Sequence, residues 1–309
     1  MEYLLLILGF AILIFSGDFL VKGGVEIAKH FKISPLVVGV TVVSFGTSAP
    51  ELFVSIDAAL DGSPDITLGN VIGSNIANIA LVLGLTAIIL PIPVKSKSIK
   101  FDWPVMFLAS ILLFVFGLDN KLNSYECIFF VLAILWYIIH SIYFSRKETK
   151  ENGTEKANLS IIKSIAIIIL SSIGLYYGAD LLVNNAKEIA LTFGVSERVI
   201  GLTLIAFGTS VPELATSVIA ASKKQLDISI GNIIGSNIFN IFAVLGITGI
   251  IKPINVTQKA LEFDLIWMIA IALLLFLFIL PLKNGIISRL KGLAFFIIYI
   301  TYSILLFIK

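Results

Sequence analysis

Apolar runs long enough to cross a bilayer, about 20 residues each, recur along the whole chain between short polar breaks. They predict membrane-spanning helices over 3–20, 35–60, 67–90, 102–118, 124–144, 161–183, 197–221, 229–251, 262–281 and 286–308. Two of these runs contain a proline, Pro50 and Pro212, and are expected to bend there, because proline lacks the helical N–H and its ring clashes with the preceding turn. The pattern predicts an all-α polytopic membrane protein of ten transmembrane helices.

Comparison of the chain with itself at an offset of 162 residues shows how those helices are organised. Gly39–Pro91 falls on Gly201–Pro253 without a gap, and about 30 of roughly 53 positions are identical. The match extends to Asp18 with Asp180, Glu26 with Glu188, Ser34 with Ser196, and Phe101–Asp102 with Phe263–Asp264. It divides the chain into a first five-helix repeat, 1–144, a linker, 145–160, and a second five-helix repeat, 161–309. A unit crossing the membrane an odd number of times places its copy upside down, so the two repeats are expected to be inverted. That symmetry is common in transporters, with the substrate site at the repeat interface.

Composition sets the solvent and removes several functions. With 58% hydrophobic and 14% charged residues and a mean hydropathy of +1.03, the chain belongs in lipid. Glu2 stands where a signal peptide carries Lys or Arg, and no A-x-A cleavage pattern follows, so the first run reads as a retained helix. A lone Cys127 and two histidines, His30 and His140, have no metal-ligand spacing, which leaves zinc, haem and iron–sulfur chemistry without support. The net charge of +2 does not suggest a nucleic-acid partner. Lysine and arginine gather on one set of loops, including Lys22, Lys29, Arg146, Lys147, Lys223 and Lys224. By the positive-inside tendency both termini are then extracellular and the central loop cytoplasmic. These basic residues read as solvated loop charge, Glu26 and Glu188 as interfacial acids, and Asp18 and Asp180 as residues near span ends, more structural than ion-conducting.

The chemistry lies in two segments of each copy. Ser44–Leu52 and Ala206–Leu214 place Glu51 and Glu213 inside apolar runs, where a charged residue costs about 2.5–3.5 kcal/mol on translocon scales and usually lines a polar cavity. Thr47 and Ser48 precede Glu51 by four and three residues, so they share its helix face, as Thr209 and Ser210 do with Glu213. The prolines free the carbonyls of Gly46 and Gly208. In the second segment, Gly69–Asn78 and Gly231–Asn240, Ser74 and Asn78 lie one turn apart, as do Ser236 and Asn240. Gly69/Gly73 and Gly231/Gly235 form small-xxx-small pairs suited to close helix approach. The set is all oxygen, with neither nitrogen nor sulfur, and suits hard cations such as Ca²⁺, Na⁺, Mg²⁺ or Mn²⁺. Serines of this kind also serve packing alone. From the residues alone, Na⁺/Ca²⁺ exchange, Ca²⁺/H⁺ or other cation/proton exchange, and a cation channel all stay open, whereas no nucleophile–base–orienter set points to an enzyme.

The paired GTS-x-PE and GSN-x-x-N segments resemble the two alpha-repeats of the calcium/cation antiporter superfamily, particularly its prokaryotic sodium/calcium exchanger-like members. The resemblance covers essentially the whole chain. It implies alternating-access antiport of Ca²⁺ and Na⁺ as transported ions, with no cofactor and no obligate protein partner beyond the lipid bilayer. It also implies a central site of Glu51 and Glu213 with Thr47, Ser48, Ser74 and Asn78 from one copy and Thr209, Ser210, Ser236 and Asn240 from the other, and sodium contacts from the carbonyls of Ser44 and Ala206. Several family members have Asp where this chain has Asn240. Two carboxylates balance one Ca²⁺ or two Na⁺, so a three-to-one stoichiometry is implied by the family alone.

Overall fold

A computed structural model of the chain describes residues 1–62, 64–94, 98–152, 156–194, 208–280 and 285–308. Among these, eight helices are long and apolar enough to cross a membrane, nine if a bent pair is taken as one span. Helix α1 is Glu2–Phe31. The bent pair is α2, Pro35–Thr47, and α3, Ala49–Leu60. Helix α4 runs from Pro64–Ala77 through Asn78–Leu83 to Gly84–Ile89 and is followed by strand β1, Ile92–Val94. Then come α5, Lys100–Asp119, strand β2, Lys121–Leu122, and α6, Ser124–Asn152. The second half holds α7, Ile161–Thr192, α8, Val211–Ser222, and α9, Leu226–Ile251. It continues with strand β3, Ile254–Asn255, α10, Ala260–Ile279, strand β4, Gly285–Ile287, and α11, Arg289–Ile308.

The expected bend is present: α2 and α3 meet at 44°. The break falls at Ser48 (φ −88°, ψ 5°), so Pro50 and Pro212 lie in the first turns of α3 and α8, where a missing N–H is tolerated. Three boundaries differ from the hydropathy pattern, that of α7 among them, which continues past the expected 183 to Thr192. Helix α1 continues to Phe31, so Lys22, Glu26 and Lys29 are helical residues and not loop residues. Their charges are satisfied locally: Glu26 is buried, accepts the backbone N–H groups of Asn158 and Leu159 at 2.6 and 2.8 Å, and pairs with Lys29 at 3.7 Å. Helix α6 continues to Asn152 and takes up half of the expected linker, because no Gly or Pro interrupts the chain before Gly153. The first part of the expected span 197–221 lies outside the described residues.

Burial separates the helices by role. In the most apolar windows of α4 and α9, 78% and 89% of residues are buried, against 28% in α1 and 22% in α7. The two central helices are rich in Gly, Ser and Asn, which allow close backbone approach and satisfy polar groups between helices, while α1 and α7 pair along their length and turn Ile, Leu and Phe outward. Gly39 on α2 and Gly231 on α9 cross almost in contact: a Cβ on Gly231 would stand 2.7 Å from the carbonyl oxygen of Leu36 and 3.1 Å from the Cα of Gly39.

Corresponding features recur at the repeat offset. Wide π-helical turns at Asn78–Leu83 and Ser98–Asp102 have counterparts at Asn240–Leu245 and Ala260–Asp264. Tyr137 donates to Asp102 at 2.9 Å, and Tyr302 to Asp264 at 3.0 Å. The short strands pair across the two halves: β1 with β4, Ile92 opposite Ile287, and β2 with β3, Lys121 opposite Asn255.

Candidate cation site

Glu51 and Glu213 stand in the first turns of α3 and α8, and both are fully buried. Hydroxyls just before each of these helices reach the opposite copy. Ser48 donates to Glu213 Oε1 at 3.1 Å. The Thr47 hydroxyl lies 3.1 Å from Asn232 Oδ1 and 3.4 Å from the Ser236 hydroxyl. Ser74 and Thr209 share a hydrogen bond of 3.2 Å between their hydroxyls. Every one of these contacts joins one repeat to the other, so the two carboxylates and Thr47, Ser48, Ser74, Thr209 and Ser236 occupy one interface.

The atoms left over are the most informative. Both oxygens of Glu51, Oε2 of Glu213, the amide oxygens of Asn78 and Asn240, and the Ser210 hydroxyl are buried with no hydrogen-bond partner among the described residues. Buried polar atoms are paired in the great majority of cases, so such a concentration requires an explanation. Asn78 and Asn240 each stand at the start of a π-helical turn, a deviation found often at functional sites. Among the described residues no group of three or more His, Cys, Asp or Glu forms a metal cluster. The donors are two carboxylates among neutral oxygens, a set suited to a hard cation and poor for a soft one.

Ser44 departs from a free ligand. Its carbonyl accepts the Ser48 N–H at 2.9 Å and the Thr47 hydroxyl at 3.3 Å, and its own hydroxyl donates to Gly39 at 2.7 Å and to the Asn232 carbonyl at 3.1 Å. Ala206 lies outside the described residues. Of the paired glycines, Gly231 and Gly235 make the close approach, while Gly69 and Gly73 have nothing within 4 Å among the described residues.

A supporting layer behind the site follows the same repeat. Asn232 accepts from Thr47 and donates to Ser217 at 3.1 Å, and Ser229 donates to the Ser217 carbonyl at 2.9 Å. In the other copy Asn70 donates to Ser55 at 3.0 Å and to the Glu51 carbonyl at 3.2 Å, and Thr67 donates to the Ser55 carbonyl at 3.1 Å. The Gly-Asn pair at 69–70 and 231–232 is visible in the repeat, but sequence alone does not separate it from the helix packing around it. Substituting Asn232 with alanine should therefore weaken half-saturation by the transported cation about tenfold, in line with the 10–100-fold effect of removing residues that orient metal ligands. Calcium titration of purified protein measures it, and unchanged half-saturation would leave Asn232 a packing residue.

A membrane-embedded, oxygen-lined site shared by two related halves defines a polytopic membrane protein of the cation-transporter kind. The model of the "Sodium/calcium exchanger protein" family matches residues 1–143 and 163–308, and the chain belongs to that family. It is 33% identical to the sodium/calcium exchanger MaX1 of Methanosarcina acetivorans, over 99% of this chain and 98% of that one. It is 36% identical to the inner membrane protein YrbG of Escherichia coli, over 87% and 86% respectively. A solved structure of the sodium-calcium exchanger NCX_Mj, soaked with zero Na⁺ and Ca²⁺, superposes with a TM-score of 0.84 at 35% identity, covering 99% of this chain and 98% of that one.

Proposed function

We propose that this protein is a secondary active antiporter that exchanges Na⁺ for Ca²⁺ across the membrane by alternating access to the site between its two halves. The observation that carries the reading is the set of buried oxygens on Glu51, Glu213, Asn78, Asn240 and Ser210 that have no partner among the described residues. Calcium takes 6–8 oxygens, and two carboxylates balance its charge. The same carboxylates serve one Ca²⁺ or two Na⁺, so the two ions compete for one set of ligands, and movement of one against the other follows if the empty protein does not readily change sides. Glu51 and Glu213 are the charged ligands, with Thr47, Ser48, Ser74, Asn78, Thr209, Ser210, Ser236 and Asn240 supplying neutral oxygens. The carbonyls of Ser44 and Ala206 are assigned to the sodium positions, and that of Ser44 must give up its hydrogen bond from the Thr47 hydroxyl to take an ion.

Ten spans arranged as two inverted five-helix repeats, 1–144 and 161–309 with 145–160 between them, give the symmetry that this mechanism needs. The 162-residue repeat, the matched π-helical turns and the matched Tyr–Asp pairs support that arrangement. The distribution of lysine and arginine supports extracellular termini and a cytoplasmic central connection.

Uptake of labelled calcium by purified protein in sodium-loaded liposomes is the direct test. Uptake that requires internal sodium and vanishes in sodium-free vesicles is the expected result. Uptake driven only by internal acid would reassign the coupling ion to H⁺, and calcium flux that no opposing gradient can drive uphill would reassign the protein as a channel.

A further inference from the structure

The repeat makes the two mouths of the site comparable residue by residue, and they differ in charge. At the offset of 162, Asp18 corresponds to Asp180, Lys22 to Asn184, and Lys223 to Asp61. Asp18 on α1 is held by two lysines: Lys22, one turn further along at 2.6 Å, and Lys223, the residue that caps α8 at its C-terminus. Helix α8 carries Glu213 in its first turn, so this ion pair ties the outer helix α1 to a helix of the site. Beside it the two helices are closed on each other. A Cβ on Gly17 would meet the Ile219 side chain at 2.7 Å and the Cα of Thr216 at 3.6 Å.

Among the described residues the other mouth lacks that tie. Asp180 on α7 accepts from the Asn184 amide at 2.9 Å, and the position that supplies lysine on the first side is here an acid, Asp61, which cannot bridge to a second carboxylate. Here a cavity of about 240 Å³ lies between α7 and the starts of α3 and α8, its lining including Pro50, Val54, Asp180, Val183, Asn184 and Thr209. Thr209 is the residue that shares a hydrogen bond with Ser74 inside the site. One mouth is therefore pinned by a tethered ammonium group, and the other opens a largely apolar cavity beside an aspartate.

We infer that the Asp18–Lys223 ion pair is a latch for exchange: it holds the α1 mouth shut, and the Asp180 mouth, which has no counterpart lysine, is where the site faces in the resting protein. This rests on the alternating-access reading and adds the residues that bias it. Opening the α1 mouth requires α1 to leave α8, which separates Asp18 from Lys223. Both side chains are partly exposed, at 24% and 34%, so the pair biases the equilibrium and does not lock it.

The test reads access without requiring transport. A cysteine at Ile219, in protein whose single Cys127 is replaced by alanine, reports on the α1 mouth through its rate of labelling by a membrane-impermeant maleimide in liposomes. Lys223→Gln and Asp18→Asn should each raise that rate about fivefold, the size of a partly exposed ion pair expressed as a population ratio. The charge swap, Asp18→Lys with Lys223→Asp, should return it to the starting rate. Amide hydrogen exchange across 215–222 in protein that keeps Cys127 and Ile219 should move in the same order, which covers a reporter that fails to fold. Equal labelling and exchange in the single variants, or a swap as fast as they are, would overturn the latch. Loss of sodium-dependent uptake in the unsubstituted protein would instead overturn the exchange reading.

Discussion

Replacing Glu51 with glutamine is expected to lower sodium-driven calcium uptake by about thirtyfold or more while the protein still inserts and remains monodisperse. Glutamine keeps the shape of the side chain and removes its charge, so a divalent ion would face one carboxylate in place of two. Truncating one partner of a buried charge pair costs about 2–5 kcal/mol, and each 1.4 kcal/mol is tenfold. Glu213→Gln should do the same, although Glu213 begins from a different position: one of its oxygens already accepts from Ser48, while neither oxygen of Glu51 has a hydrogen-bond partner among the described residues. Glu51→Gln should therefore be the more damaging of the two for calcium. Flux assays on both variants, with size-exclusion profiles to confirm folding, decide the matter. Wild-type flux in both would remove these residues from the centre of the site.

The second large effect is expected where α2 and α9 cross. A Cβ on Gly235 would lie 2.6 Å from the Cα of Val40 and 2.8 Å from its carbonyl oxygen, distances that force backbone and not merely a side chain to move. Gly235→Ala should destabilise the protein by about 1–3 kcal/mol, the usual cost of overpacking, and larger side chains should prevent folding. It should also lower exchange, because the displaced segment carries Ser44, Thr47 and Ser48. Gly24→Ala is the matched control: its Cβ would meet only the methyl groups of Val38 and Val43, at 3.1 and 3.3 Å, and these can shift. Thermal melting in detergent should show a clear fall for the first variant and a small one for the second. Equal melting would mean that the crossing is looser than its geometry shows.

Much of this was legible in the chain because duplication supplies its own control. A buried glutamate after a proline is ambiguous once; the same Thr-Ser-x-Pro-Glu pattern at 47–51 and 209–213 is not, although the break at Ser48 takes the hydroxyls off the helix face of Glu51 and Ser48 and Thr209 reach across the interface, to Glu213 and Ser74. What hydropathy missed has physical causes. It ended α1 too early because Lys22, Glu26 and Lys29 count as polar, although partners elsewhere in the fold satisfy the charge of Glu26. It gave no sign of the π-helical turns at Asn78 and Asn240, since a one-residue widening of the helix changes no composition. The Tyr137–Asp102 and Tyr302–Asp264 pairs escaped the gapless self-comparison for a simple reason: the aspartates are 162 residues apart and the tyrosines 165, so three residues inserted between them break the register. The strand pairings, which depend on which loops meet, have no local signature.

Those strand pairings bear on how the protein is made. Ile92 lies opposite Ile287, 195 residues later in the chain, so the edge of β1 leaves the ribosome long before its partner exists. At synthesis rates of about 5–20 residues per second, roughly 10–40 seconds separate the two strands. Throughout that interval the first half waits in the membrane with a main-chain edge unpaired, and only nearly complete chains can close it. Chains terminated before Gly285 should consequently be recognised as unfinished by cellular quality control, although every residue named at the cation site is already present in them.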